Sequence, residues 1–130
     1  PYSFGTVVAT PLASTRERGE AALKEQGFGI LTEIDVRATM REKLGIAREP
    51  YLILGACNPQ LAYRALEADP SVGALLPCNV VLRAEDDRTR VEIMDPTAVL
   101  SIAGSTGLGE IAAEAHQLLR AVVAALEAGQ

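Results

Sequence analysis

Pro50-Tyr51-Leu52-Ile53-Leu54-Gly55-Ala56-Cys57-Asn58-Pro59 is the stretch on which the fold turns. Its apolar residues run on without the alternation of a strand that has one wet face, so 50–57 reads as a strand buried on both faces at the centre of a covered sheet. Asn58-Pro59 then starts a helix: Asn at the N-cap accepts from the first free amides, and Pro at N1 has no donor to leave unsatisfied. That helix extends through Ala68 with Leu61, Ala62, Ala65 and Leu66 inward, and Asp69-Pro70 ends it.

Upstream, Phe4–Thr10 reads as a first strand ending at Pro11. Ser14-Thr15-Arg16-Glu17 has the S-x-x-E spacing of a capping box, which predicts a helix from there to Gln26, with Gly27 at C′. Phe28–Asp35 alternates well enough for a second strand, and Asp35 caps a short helix through Leu44 that stops at Gly45. Downstream, Leu75–Ala84 and Thr89–Met94 form a hairpin around a charged tip, Glu85-Asp86-Asp87-Arg88. Asp95-Pro96 restarts helix. From Leu108, the series Leu108, Ile111, Ala112, Ala115, Leu118, Leu119, Val122 and Leu126 covers one side of a long helix. The expected fold is one α+β domain over residues 1–130, with an antiparallel or mixed sheet of about five strands and helices mainly on one face.

Composition narrows the function classes. The chain of 130 residues is nearly half apolar, which suits a folded domain with a single core rather than a disordered segment. Its net charge of −5 and interleaved basic residues give no basic stripe, so nucleic acid is not an expected partner. Apolar runs such as Ala121–Leu126 fall far short of the roughly 18 residues a membrane span requires. Pro1-Tyr2-Ser3-Phe4-Gly5 has neither the basic nor the apolar region of a signal peptide, so a cytoplasmic location is expected, with Cys57 and Cys78 as free thiols.

Those two cysteines each precede an asparagine, in Gly55-Ala56-Cys57-Asn58-Pro59 and Leu76-Pro77-Cys78-Asn79-Val80. If the sheet sets the two segments side by side, Cys57, Asn58, Cys78 and Asn79 form a candidate ligand-binding site. Cys57 stands at a helix start, which favours an anion and so a thiolate, whereas Cys78 enters a strand. The blander reading makes both thiols small buried hydrophobes. Two thiolates suit Cu(I), but structural zinc wants four ligands, and only His116 and carboxylates remain to complete such a set, so no metal is expected. Glu33 and Asp35 share one face of the second strand; Asp35 is explained as a cap, which leaves Glu33 as a further site candidate. Gly104-Ser105-Thr106-Gly107-Leu108-Gly109 offers amides and hydroxyls to an anion, without the order of a nucleotide-binding loop. His116 lies at the edge of the long helix's apolar stripe and reads as a packing or surface residue rather than a ligand.

Gly27-Phe28-Gly29-Ile30-Leu31-Thr32-Glu33-Ile34-Asp35-Val36, Ile53-Leu54-Gly55-Ala56-Cys57-Asn58-Pro59 and Leu75-Leu76-Pro77-Cys78-Asn79-Val80 together resemble the small bacterial and archaeal family catalogued as domain of unknown function 302. The resemblance spans Gly27 to Val80 and implies an α+β domain that forms a homodimer. It implies no activity, catalytic residue or cofactor. An apolar flank around Val123 and Ala124 on the last helix points to the same dimer. The leading expectation is therefore a non-enzymatic, homo-oligomeric module binding a small molecule or anion at the Cys-Asn segments. The alternatives are a thiol-dependent redox enzyme or sensor using Cys57, and a structural or interaction domain.

Overall fold

In the computed structural model, which describes residues 1–129, the chain alternates strand and helix three times, then closes with a hairpin and two helices. The strands are β1 (Ser3–Val8), β2 (Gly29–Asp35), β3 (Tyr51–Cys57), β4 (Cys78–Glu85) and β5 (Arg88–Met94). The helices are α1 (Leu12–Glu25), α2 (Val36–Leu44), α3 (Pro59–Ala68), α4 (Pro96–Leu100) and α5 (Leu108–Ala128). A single five-stranded sheet has the order β1-β5-β4-β3-β2, and every neighbouring pair is antiparallel.

Local chemistry explains most element ends. Asn58 Oδ1 accepts from the Leu61 amide at 3.2 Å with Pro59 at the first turn, and Asp35 Oδ1 accepts from Ala38 N at 2.9 Å, so both predicted caps form. Gly45 ends α2 in the left-handed region at φ 67°, and Gly27 follows α1 at φ 85°. The hairpin turns through Asp86-Asp87, with Asp86 at φ 57°, a conformation that a short polar side chain tolerates. The sequence places the start of β4 three residues early, because Pro70–Leu75 coils into a 3₁₀ turn.

The capping box does not form. α1 begins at Leu12, with Pro11 at the N-cap and no side-chain cap bond, which leaves Ser14 exposed inside the helix. Thr15 decides the start instead: fully buried, its hydroxyl donates to Pro11 O at 2.9 Å and lies 2.7 Å from Thr10 Oγ1. Thr89 Oγ1, buried on β5, donates to Thr10 O at 2.8 Å. Two buried hydroxyls thus tie the β1–α1 corner to the sheet, and satisfying them outweighs the local capping pattern.

Two apolar clusters hold the molecule. The larger lies between one sheet face and the α1 and α5 helices, with Leu54, Val80, Leu82, Val91 and Ile93 meeting Leu23, Leu119, Val122 and Leu126. The smaller joins α3, α4 and the first half of α5 through Leu61, Ala65, Leu100, Leu108, Ile111 and Ala115. The helices thus pack mainly on one face, and β3 is buried less evenly than its composition suggests. Leu54 and Ala56 point into the core, while Ile53, paired with Val81 and Ile34, is half-buried on the other face. The dimer argument from the last helix also changes, because Val123, only 5% exposed, belongs to the monomer's own core.

Candidate functional site: a cavity between the two cores

β3 and β4 pair so that Ala56 faces Cys78, which sets Cys57 beside it at the strand end from which α3 departs. A half-open cavity of about 290 Å³ begins there. One wall, Phe28, Ala56 and Cys78, belongs to the larger apolar cluster, and the other, including Leu61, Ala65 and Ile111, belongs to the smaller. The cavity is therefore the seam between the two cores. Four of its wall positions, Ala56, Ala62, Ala65 and Ala115, are alanines, and a leucine at any of them would fill part of the space.

Three of the five residues singled out in the sequence, Cys57, Asn58 and Cys78, line this cavity. Asn58 contributes shape more than bonding: its carboxamide oxygen caps α3, and Nδ2 donates to Gln26 O at 3.4 Å. Cys57 is half-buried and Cys78 only 9% exposed, and neither forms a disulfide. Burial, reinforced by the neighbouring Cys57, pushes the Cys78 thiol up to about 11, so it remains protonated at neutral pH.

The other two fall elsewhere. Asn79 points away from the core into a shallow depression with Tyr2, Tyr51, Val81 and Glu92. Glu33 lies in a charged groove between α1 and β2, where Arg16 holds it through Nε at 2.9 Å and Nη2 at 2.7 Å. Glu33, then Glu20, raises the Arg16 guanidinium above its ordinary value and keeps it charged. Asp35 shares that groove but is spent on the α2 amide, so the two carboxylates have separate partners rather than a shared proton.

The remaining candidates are also engaged. His116 Nδ1 lies 3.0 Å from Asp95 Oδ1, and Arg120 Nε donates to Nε2 at 3.3 Å, so both ring nitrogens are engaged. Burial works to raise the Asp95 carboxyl, but the Thr97 hydroxyl and amide together with His116 outweigh it and hold the group below its ordinary value. In the glycine-rich turn before α5, Ser105 Oγ donates to Asp69 Oδ2 at 2.6 Å, so a carboxylate of the chain already uses that hydroxyl. Among the described residues no group of three or more His, Cys, Asp or Glu is placed to hold a metal, and no helix is long and apolar enough to cross a membrane.

Two features of the site are not in the candidate set. Gly55 is needed by close approach: a Cβ there would lie 2.3 Å from Thr32 Oγ1 and 2.9 Å from Pro77 Cγ. At Leu31 the β2–β3 register shifts, Ile30 pairing with Ala56 and Thr32 with Gly55, so Leu31 has no partner and lies on the cavity rim, 68% exposed. The signal was present in the sequence, since the consecutive Ile30-Leu31 breaks the alternation of β2.

Among solved structures, the chain is similar to an uncharacterized conserved protein of the family from Bacillus stearothermophilus. The two are 34% identical, the match covers 96% of this chain and 98% of that one, and the TM-score is 0.89. No curated protein matches. The family described as domain of unknown function DUF302 matches residues 4–126, from the second residue of β1 nearly to the end of α5, and the chain belongs to that family.

Proposed function

We propose that this chain is a non-enzymatic, homo-oligomeric cytoplasmic module that binds a small molecule in the cavity walled by Cys57, Asn58 and Cys78. One observation carries the reading: a cavity of about 290 Å³ lies at the seam of two otherwise close-packed cores, near the lower end of the size of small-molecule sites. Alanines keep it open where larger apolar residues would complete the packing. A protonated, buried Cys78 favours binding over thiol chemistry shared between the two sulfurs, because only Cys57 is accessible enough to act as a nucleophile. Cys57-dependent redox chemistry is the second reading and rests on that accessibility.

Homo-oligomer formation is supported by the sheet face that the α1 and α5 helices do not cover. There Ile53 and Val81 lie half-buried beside a charged ladder in which Arg83 pairs with Glu92 and Glu85, and Arg90 with Glu85. Light scattering at micromolar concentration is expected to return twice the monomer mass, and the monomer mass alone would remove oligomerisation from the proposal.

The binding reading is tested by titrating the full chain with the uncharged fluorophore 1-naphthylamine. Saturable binding of one probe per chain is expected, lost in Ala62→Leu, which projects new bulk into the cavity from a half-buried position. Absence of saturable binding, or binding unchanged by Ala62→Leu, would refute it.

A further inference from the structure

Resting on the binding reading above, we infer that the cavity selects uncharged, largely apolar molecules of about ten carbon atoms, and that Leu31 closes its rim over them. The size follows from comparison with apolar cavities of ~150 Å³ that hold one benzene. A space of about 290 Å³ is roughly twice that, enough for a fused two-ring aromatic or an aliphatic chain of similar bulk.

The exclusion of charge follows from the walls. Among the described residues, no Lys, Arg, His, Asp or Glu lines the cavity. The start of α3 faces it and would ordinarily favour an anion, but Asn58 Oδ1 already takes the Leu61 amide and Pro59 has no N–H. The Asn58 amide nitrogen is likewise directed to Gln26 O. Cys78 adds only a protonated thiol. A carboxylate or ammonium group placed inside would lose its water without gaining a partner, a cost that an uncharged molecule avoids.

Leu31 supplies the rim. A register shift in β2 leaves it outside the β2–β3 ladder, two-thirds exposed, yet part of the cavity wall. Leu66 on α3, 41% exposed, lines the same cavity. Exposed apolar side chains at the edge of an apolar cavity lose contact with water when a ligand arrives, and bulges commonly re-aim a side chain beside a site. The occupant is a small molecule rather than a segment of another protein, because a space of about 290 Å³ holds roughly ten carbon atoms, fewer than a strand or helical turn of a partner would bring.

The test displaces 1-naphthylamine, a ten-carbon fluorophore uncharged at pH 7.5, from the full chain with 1-octanol, octanoate and octylammonium, which share a chain and differ in charge. Octanol is expected to displace the probe at concentrations at least tenfold lower than either ion. Equal or better displacement by octanoate or octylammonium would overturn the charge selection while leaving the binding reading intact; failure of the probe itself to saturate would overturn both. Leu31→Ser, at an exposed position that the core does not need, is expected to weaken probe binding about fivefold. Ile53→Ser, on the opposite sheet face, is expected to leave it unchanged. An unchanged affinity in Leu31→Ser, or a loss in Ile53→Ser, would refute the assignment of the rim.

Discussion

The dipeptide Cys-Asn occurs twice in this chain, and its two copies are put to opposite uses. Cys57-Asn58 stands where β3 ends and α3 begins, so its asparagine is held by two hydrogen bonds and its cysteine is half-buried at a cavity wall. Cys78-Asn79 stands where β4 begins, so alternation along the strand drives the cysteine into the core and turns the asparagine out. Identical residues thus acquire different protonation, accessibility and structural value from the element they occupy. The contrast also defines the site, because the two copies contribute three residues to the cavity and not four.

The largest effect expected of this contrast is in thiol reactivity. At pH 8 a thiol raised to about 11 is ionised in only about one molecule in a thousand, and burial further restricts access to Cys78. Iodoacetamide should therefore modify Cys78→Ser, which retains Cys57, at least tenfold faster than Cys57→Ser, which retains Cys78, as measured by intact-mass time courses. Comparable rates would remove the distinction drawn between the two thiols.

The next effect is on stability. Because Cys78 in the folded chain holds its proton up to about 11, against 9.0 for the free group, the unfolded state releases that proton first as pH rises. The contribution is fully present below pH 9 and is lost between pH 9 and 11, by about 2–3 kcal/mol. Urea unfolding at pH 8 and 11 should show that loss in the native chain and a smaller loss in Cys78→Ala, in which the buried thiol is absent. Equal losses in the two chains would show that Cys78 does not ionise on unfolding in this range.

The same contrast marks how far the sequence could be read. Signals confined to neighbouring residues were legible: the Asn58 and Asp35 caps, the left-handed Gly27 and Gly45, the hairpin and the amphipathic α5 all follow from short-range geometry. The S-x-x-E pattern failed because Thr15 makes its bonds to Thr10 and Pro11, in a corner that Thr89, 79 residues from Thr10, helps to anchor. The cavity was half legible. Adjacency of the Cys-Asn segments could be suspected from two strand ends, but that Asn79 turns outward depends on which sheet face the helices cover. Pairing of Glu33 with Arg16 depends on where α1 crosses the sheet, and single-sequence periodicity carries neither fact. Val123 reads as spare apolar surface until the sheet is seen to reach it.

The smallest effect separates the two asparagines. Asn58→Ala removes the side-chain acceptor for the Leu61 amide and the donor to Gln26 O, so it should cost about 1–2 kcal/mol, the usual loss for an N-cap. Asn79→Ala, at an exposed position on the outer sheet face with no side-chain hydrogen bond assigned to it, should stay within about 0.5 kcal/mol. Asn58→Asp refines the comparison: it keeps the capping oxygen and adds a charge favourable to the helix start, but it replaces the donor to Gln26 O with an acceptor. Stability near the native value in Asn58→Asp would assign the cost to the cap, and a loss equal to that of Asn58→Ala would assign it to the tie between α3 and the end of α1. Urea midpoints at pH 7 measure all three variants. Equal stabilities of Asn58→Ala and Asn79→Ala would break the comparison, because the position of the dipeptide at the start of α3 would then confer nothing that its position at the start of β4 lacks.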